Sequence, residues 1–146
     1  MPTFTLAMSH RPAREGEPQP QGHVPAYLAM EYLTEAYHCA LDQWCKDALT
    51  PREMAIVHLD ADFRREVFVG DGEFDVLAVR VGRTSLTLEI TMRQAGADAV
   101  VATMVLAHVS PGRAGSSPFR EDQRALLEAA LEPSPPPAES RSRPGR

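Results

Sequence analysis

The sequence predicts an α+β domain in which an antiparallel five-stranded sheet wraps around one long central helix, with a short helix near the C-terminus. Three observations predict it. From Ala26 to Leu49 the apolar residues recur at three- and four-residue steps, the period of a helix with one buried face. Beyond Pro51 the period drops to two and stays there through "AVVATMVLAHV", Ala99 to Val109. Finally, five of the 13 prolines lie at or before Pro25 and five at or after Pro133, which leaves a nearly proline-free block between them.

The elements follow in order. A strand is expected at Thr3–His10, ahead of the helix. The helix stripe is Ala29, Leu33, Ala36, Ala40 and Trp44, widened by Leu28, Tyr32, Tyr37 and Leu41. Pro25 suits its first turn, where a missing N–H costs nothing, and Thr50-Pro51 ends it, because the residue before a proline is pushed out of the α region. Next, Ala55, Val57, Leu59, Ala61 and Phe63 alternate with Ile56, His58, Asp60, Asp62 and Arg64, so the first set is expected to face inward. "GDG", Gly70 to Gly72, reads as a turn. Strands at about Phe74–Val81 and Thr84–Met92 adjoin at "GR" and read as antiparallel neighbours. "RQAGAD" supplies another turn, Ala99 to Val109 the last strand, and "REDQRALLEAAL" a short helix with acids near its start. A long apolar helix followed by a meander must be covered by that sheet, since nothing else in the chain is available. One domain over 1–131 is therefore expected. The tail, 132–146, is rich in Pro, Ser and Arg and cannot offset the entropy of ordering, so disorder is expected there.

Composition excludes several functions. The chain has 146 residues, 43% of them hydrophobic and 24% charged, and a formal charge of −5, which speaks against a broad phosphate-binding surface and hence against a nucleic-acid partner. No stretch approaches the apolar length needed to span a bilayer, and the N-terminus lacks the pattern of a signal peptide, so a cytoplasmic protein with no membrane partner is expected. Cys39 and Cys45 lie six apart without a CxxC or a His pair, and read as reduced packing residues. His58, Asp60 and Asp62 share a strand face, but metal ligands must converge from more than one element, so no metal is expected. "SPGRAG", Ser110 to Gly115, falls short of a phosphate loop and lacks its lysine.

"GHV" opening the long helix, "YLTEA" within it, "VHLDADFRREVFVGD" as the next strand and "VRVGRTSLTLEI" after it, in that order, resemble the hotdog-fold acyl-CoA thioesterases of the 4-hydroxybenzoyl-CoA thioesterase type. The resemblance covers about Thr3 to Leu131. It implies a hotdog fold, hydrolysis of acyl-CoA or acyl-carrier thioesters without a cofactor, and a homodimer joined at sheet edges, with dimers pairing in some cases into tetramers. A bare sheet edge in so small a domain also invites pairing on its own account.

The resemblance also implies site residues. The family's loop reads like D-x-D-x-x-G-H-V-N-N, and its second aspartate is nucleophile or general base. Laid on Gly22, His23 and Val24, that motif puts Gln19 at the catalytic aspartate, Glu17 at the first one, and Pro25-Ala26 on the asparagines. Glutamine cannot take a proton from water at neutral pH, though its amide can orient one. The implied oxyanion donor is the backbone N–H of Ala26. A replacement base would be Glu17, His23 or Glu35, the last matching the glutamate of "YLxEA" and a catalytic position type of another hotdog clade. Structural roles compete for each: His23 can shape the turn into the helix, and Glu35 can be a buried, paired acid. "GRTS" resembles the segment near the pantetheine and nucleotide, so Arg83, Thr84 and Ser85 are implied thioester-side contacts, with a plain surface turn as the alternative. An enzyme and a non-hydrolytic acyl-CoA or acyl-carrier binding protein both remain open.

Overall fold

The computed structural model of the protein describes residues 1–8 and 23–132. Strand β1 is Thr3–Met8, helix α1 Ala26–Cys45, β2 Met54–Phe63, β3 Gly70–Val81, β4 Ser85–Gln94, β5 Ala97–His108 and helix α2 Glu121–Ala130. The strands form one antiparallel sheet in the order β1-β3-β4-β5-β2. Of the expected first strand, Ser9 and His10 lie outside the described residues, as does the tail from 133 onward.

Helix α1 owes its place to its small and branched apolar face. Leu28, Ala29, Leu33, Ala36, Tyr37, Ala40 and Leu41 are buried against the sheet, and Trp44 is packed beside them. Ala36 and Ala40, fully buried, let the backbone approach the strands closely. Pro25 stands one residue before the helix rather than inside it, and its carbonyl accepts from the N–H groups of Leu28 and Ala29 at 3.0 and 3.1 Å. The helix stops at Cys45, earlier than Leu49. Lys46 takes a positive φ of 49°, which breaks the ladder, and the chain continues through two short 3₁₀ turns with Leu49 buried between them.

Strand β2 departs from simple alternation. A bulge between Ile56 and His58 inserts Val57, so the parity flips: Met54 and Ile56 pair with the core-facing His108 and Leu106, on the same face as Leu59, Ala61 and Phe63. Ala55 and Val57 were the inward residues expected from the period, and the bulge overturns both.

Gly70 to Gly72 is likewise no turn, since these residues begin β3 and pair with Met8 to Leu6 of β1. Gly72 is buried here, and a Cβ on it would come 2.8 Å from Met8 Cε, the end of a flexible side chain that would have to shift. The β4–β5 connection does turn at Ala95 and Gly96, both at positive φ, as in a tight hairpin. Helix α2 is tied down by Gln123, fully buried, whose amide donates to the Ala48 carbonyl and to Glu53 at 2.9 and 3.3 Å.

Candidate active site

The N-terminus of α1 opens onto a cleft of about 720 Å³ whose lining includes His23, Ala26, Tyr27, Phe63, Arg64 and Glu66. Local pairing builds it. His23 bridges Phe68 in antiparallel fashion, and the Val24 N–H donates to the Val67 carbonyl at 2.7 Å, so the entry to α1 is stitched to the loop after β2. Val24 and Val67 are buried at this seam. Among the described residues no side chain caps α1 and none takes the N–H groups of Ala26 and Tyr27, which precede the first intrahelical bonds. They give the cleft unspent donors at the positive end of a 20-residue helix, a setting suited to a developing oxyanion.

The His23 side chain, 31% exposed, places Nδ1 3.1 Å from Glu66 Oε2, and its ring lies 4.8 Å from that of Phe68. A carboxylate only accepts hydrogen bonds, so a hydrogen bond across this contact requires the proton on Nδ1. Phe68 is itself clamped by Gln94 of β4: its N–H donates to Oε1 at 2.9 Å and its carbonyl accepts from Nε2 at 2.8 Å. Neither Glu66 nor Gln94 was singled out in the sequence. A lone glutamate in "FRREVF" has no periodic or motif signature, and its meaning depends on a backbone pairing between residues 23 and 68 that only the fold supplies.

The other site expectations separate. Glu17, Gln19 and Gly22 lie outside the described residues. Val24 and Ala26 line the cleft with His23. Glu35 is exposed on α1, not a buried acid. Nine residues at 1.5 Å each put it about 13 Å along the helix from Ala26. Its charge acts on His38, whose pKa is lowered by burial and partly raised again by Glu35.

Arg83, Thr84 and Ser85 occupy the β3–β4 turn, at the far end of the sheet. Ser85 pairs with Ala107 of β5 whereas Phe63 pairs with Val100. Those seven positions of strand span about 24 Å, so within one chain this turn and the cleft do not meet. Its backbone is held instead by α2 and its approach: the Arg83 carbonyl accepts from Phe119 N–H at 3.1 Å, that of Gly82 from Arg124 at 2.8 Å, and that of Thr84 from His108 N–H at 2.7 Å. Arg83 is exposed, and Thr84 and Ser85 are partly buried.

At that far end a second cavity, about 420 Å³, is bordered by Arg52, Glu53, His108, Ser117 and Arg120. His108 is buried, its Nδ1 donates to the Ser117 carbonyl at 2.8 Å, and its Nε2, 3.9 Å from Glu53 Oε1, has no hydrogen-bond partner among the described residues. His58, Asp60 and Asp62 are exposed on the outer face of β2, and among the described residues no group of three or more His, Cys, Asp or Glu is placed to hold a metal ion. No helix among them is long and apolar enough to cross a membrane.

Comparison with known proteins now bears on this geometry. The family model of the thioesterase superfamily matches residues 26–101, more than half of the chain. No curated protein matches. Among solved structures, a predicted thioesterase from Bacillus stearothermophilus is similar at a TM-score of 0.73 and 20% identity, covering 91% of this chain and 99% of its own. A thioesterase from Thermus thermophilus, complexed with coenzyme A and Zn, gives 0.71 and 22%, covering 88% and 92%. A hypothetical protein from Staphylococcus aureus in complex with CoA gives 0.72 and 12%, covering 92% and 88%. At such identities the likeness speaks for the fold, and the sheet order, the long α1 and the short α2 agree with it. With the match running from the first residue of α1 into β5, the chain belongs to the thioesterase superfamily and has the hotdog fold.

Proposed function

We propose that the protein hydrolyses acyl-CoA or acyl-carrier thioesters in the cleft at the N-terminus of α1, in an arrangement of the 4-hydroxybenzoyl-CoA thioesterase type. The observation that carries the reading is the coincidence, in one cleft, of an uncapped helix N-terminus at Ala26, the histidine of "GHV", and the arginines Arg64 and Arg65. The thioester carbonyl would lie against the Ala26 N–H. CoA is the carrier bound by two of the similar structures, which supports a CoA ester as the ligand.

A homodimer completes the site in this proposal. Among the described residues strand β2 is an edge strand, paired with β5 alone, and it exposes Ile56, Val57 and Phe63. A two-fold pairing of β2 with its copy would bring the far end of one protomer beside the cleft of the other. The partner's Ser85 would then lie three strands across, about 14 Å from Phe63, instead of at the opposite end of the sheet. That arrangement would let Arg83, Thr84 and Ser85 serve the carrier entering between subunits, and dimers could pair further into tetramers.

A second reading, a binding protein that does not hydrolyse, is favoured by Gln19 at the position where the resemblance expects aspartate. A panel of aliphatic and aromatic acyl-CoAs, assayed for thiol release and in parallel for binding, separates the two. Micromolar binding with measurable thiol release supports the hydrolase; binding without release supports the alternative; neither would remove the thioester reading.

A further inference from the structure

We propose that His23 is the general base of this reaction and that Glu66 is the residue that positions it, an inference that rests on reading the cleft as a thioester site. The structure holds the imidazole from three directions. Its backbone bridges Phe68, its ring tilts against the Phe68 ring at 4.8 Å and 54°, and its Nδ1 meets Glu66 Oε2 at 3.1 Å. Gln94 fixes Phe68 through both backbone groups, so the support reaches the centre of the sheet. In the proposed dyad Nδ1 donates to the carboxylate 3.1 Å away, so the neutral ring carries its lone pair on Nε2, free to take a proton. Base, orienting carboxylate and oxyanion donor are thus supplied around one cleft, the histidine only three positions before Ala26. Among the described residues, the remaining charged groups lining it are Arg64 and Arg65.

The step balances without any further reactant. A water oxygen attacks the thioester carbonyl carbon while Nε2 takes one of its protons, and the charge on the carbonyl oxygen is met by the Ala26 N–H. As the carbonyl re-forms, the C–S bond breaks and the imidazolium returns its proton to the departing sulfur. The products are the free acid and the thiol, with His23 neutral again. Glu66 touches no reacting atom. It holds the tautomer and favours the imidazolium while it exists, and at 69% side-chain exposure its hold is partly screened by water.

The full chain is tested with an acyl-CoA that it hydrolyses and with a non-hydrolysable thioether analogue of the same acyl group. His23→Gln and His23→Ala should lower kcat by about 10²- to 10⁴-fold and remove the acid limb of its pH profile. Glu66→Gln should lower kcat by about 10- to 100-fold, as loss of a carboxylate behind a working histidine does, with KM and analogue affinity near wild type. Glu66→Asp should recover part of that loss. Unchanged kcat in the His23 variants, with analogue binding intact, overturns the dyad and leaves the hydrolase reading standing. Analogue binding by a wild-type protein that releases no thiol overturns both. A Glu66→Gln variant that loses kcat and analogue affinity together assigns Glu66 to ligand binding and rejects its positioning role.

Discussion

Glu35, a candidate base by resemblance, lies away from the cleft, whereas Glu66, which no motif marks, meets His23. Glu35 sits in a helix whose neighbours Ala36 and Tyr37 face the sheet, so at 3.6 residues per turn its own direction is outward and it ends exposed. Glu66 reaches His23 only because two segments far apart in sequence pair as strands. The histidine itself was legible, since its position before a helix suffices to suggest chemistry; its partner was not. Burial also decides the cysteines. Cys45 is enclosed at the end of α1, and burial pushes its thiol up to about 11 from 9.0. The folded protein then holds that proton more tightly than the unfolded chain does. The resulting stability is complete below about pH 9 and is lost as pH rises through 11, up to about 2 to 3 kcal/mol. Tyr37 acts in the same direction, its phenol raised by burial and partly lowered by Arg113. Urea melts at pH 8 and pH 11 should show this loss in the wild type and a smaller one in Cys45→Ala. An equal loss in the two proteins would remove Cys45 from the account.

Among the elements, α1 and the strand order were readable because their periods run long, whereas the departures are local. The bulge at Val57 reverses which residues of β2 face inward, and a period of two carries no sign of it until pairing with β5 fixes the register. "GDG" looks like a turn in sequence, yet it begins β3 and pairs with β1, with Gly72 packed under the Met8 side chain. The bulge also gives β2 its clearest outward mark: Val57 is 62% exposed at an edge that has one free side. If two copies join there, burying that valine contributes about 1.5 kcal/mol or more from each protomer. Val57→Lys would replace it with two like charges near the two-fold axis. Light scattering at micromolar concentration should find the wild type dimeric or larger and the variant shifted toward monomer, with its fold retained by circular dichroism. A wild-type monomer, or a variant whose assembly is undisturbed, places the interface elsewhere.

The whole molecule holds the start of α1 on a support built from the sheet and the loop after β2. The sheet fixes the entry to α1 through Val67, Phe68 and Gln94, and that support is independent of which side chain stands at position 19. The hotdog architecture could be read from the chain because helix and meander leave only one way to bury α1. The distance of Arg83 from the cleft could not, because strand register decides it and the proposed closing of that gap belongs to a second subunit. Gln19→Asp therefore tests the central claim most directly, since it restores the family's carboxylate to a site whose other parts are argued to be in place. Thiol release from the best acyl-CoA of the panel should rise in Gln19→Asp by up to about 10²-fold, since a carboxylate there adds to the assistance that His23 supplies. Equal rates in the two proteins, at equal affinity for the thioether analogue, would contradict the placement of position 19 beside the reacting carbonyl at the N-terminus of α1.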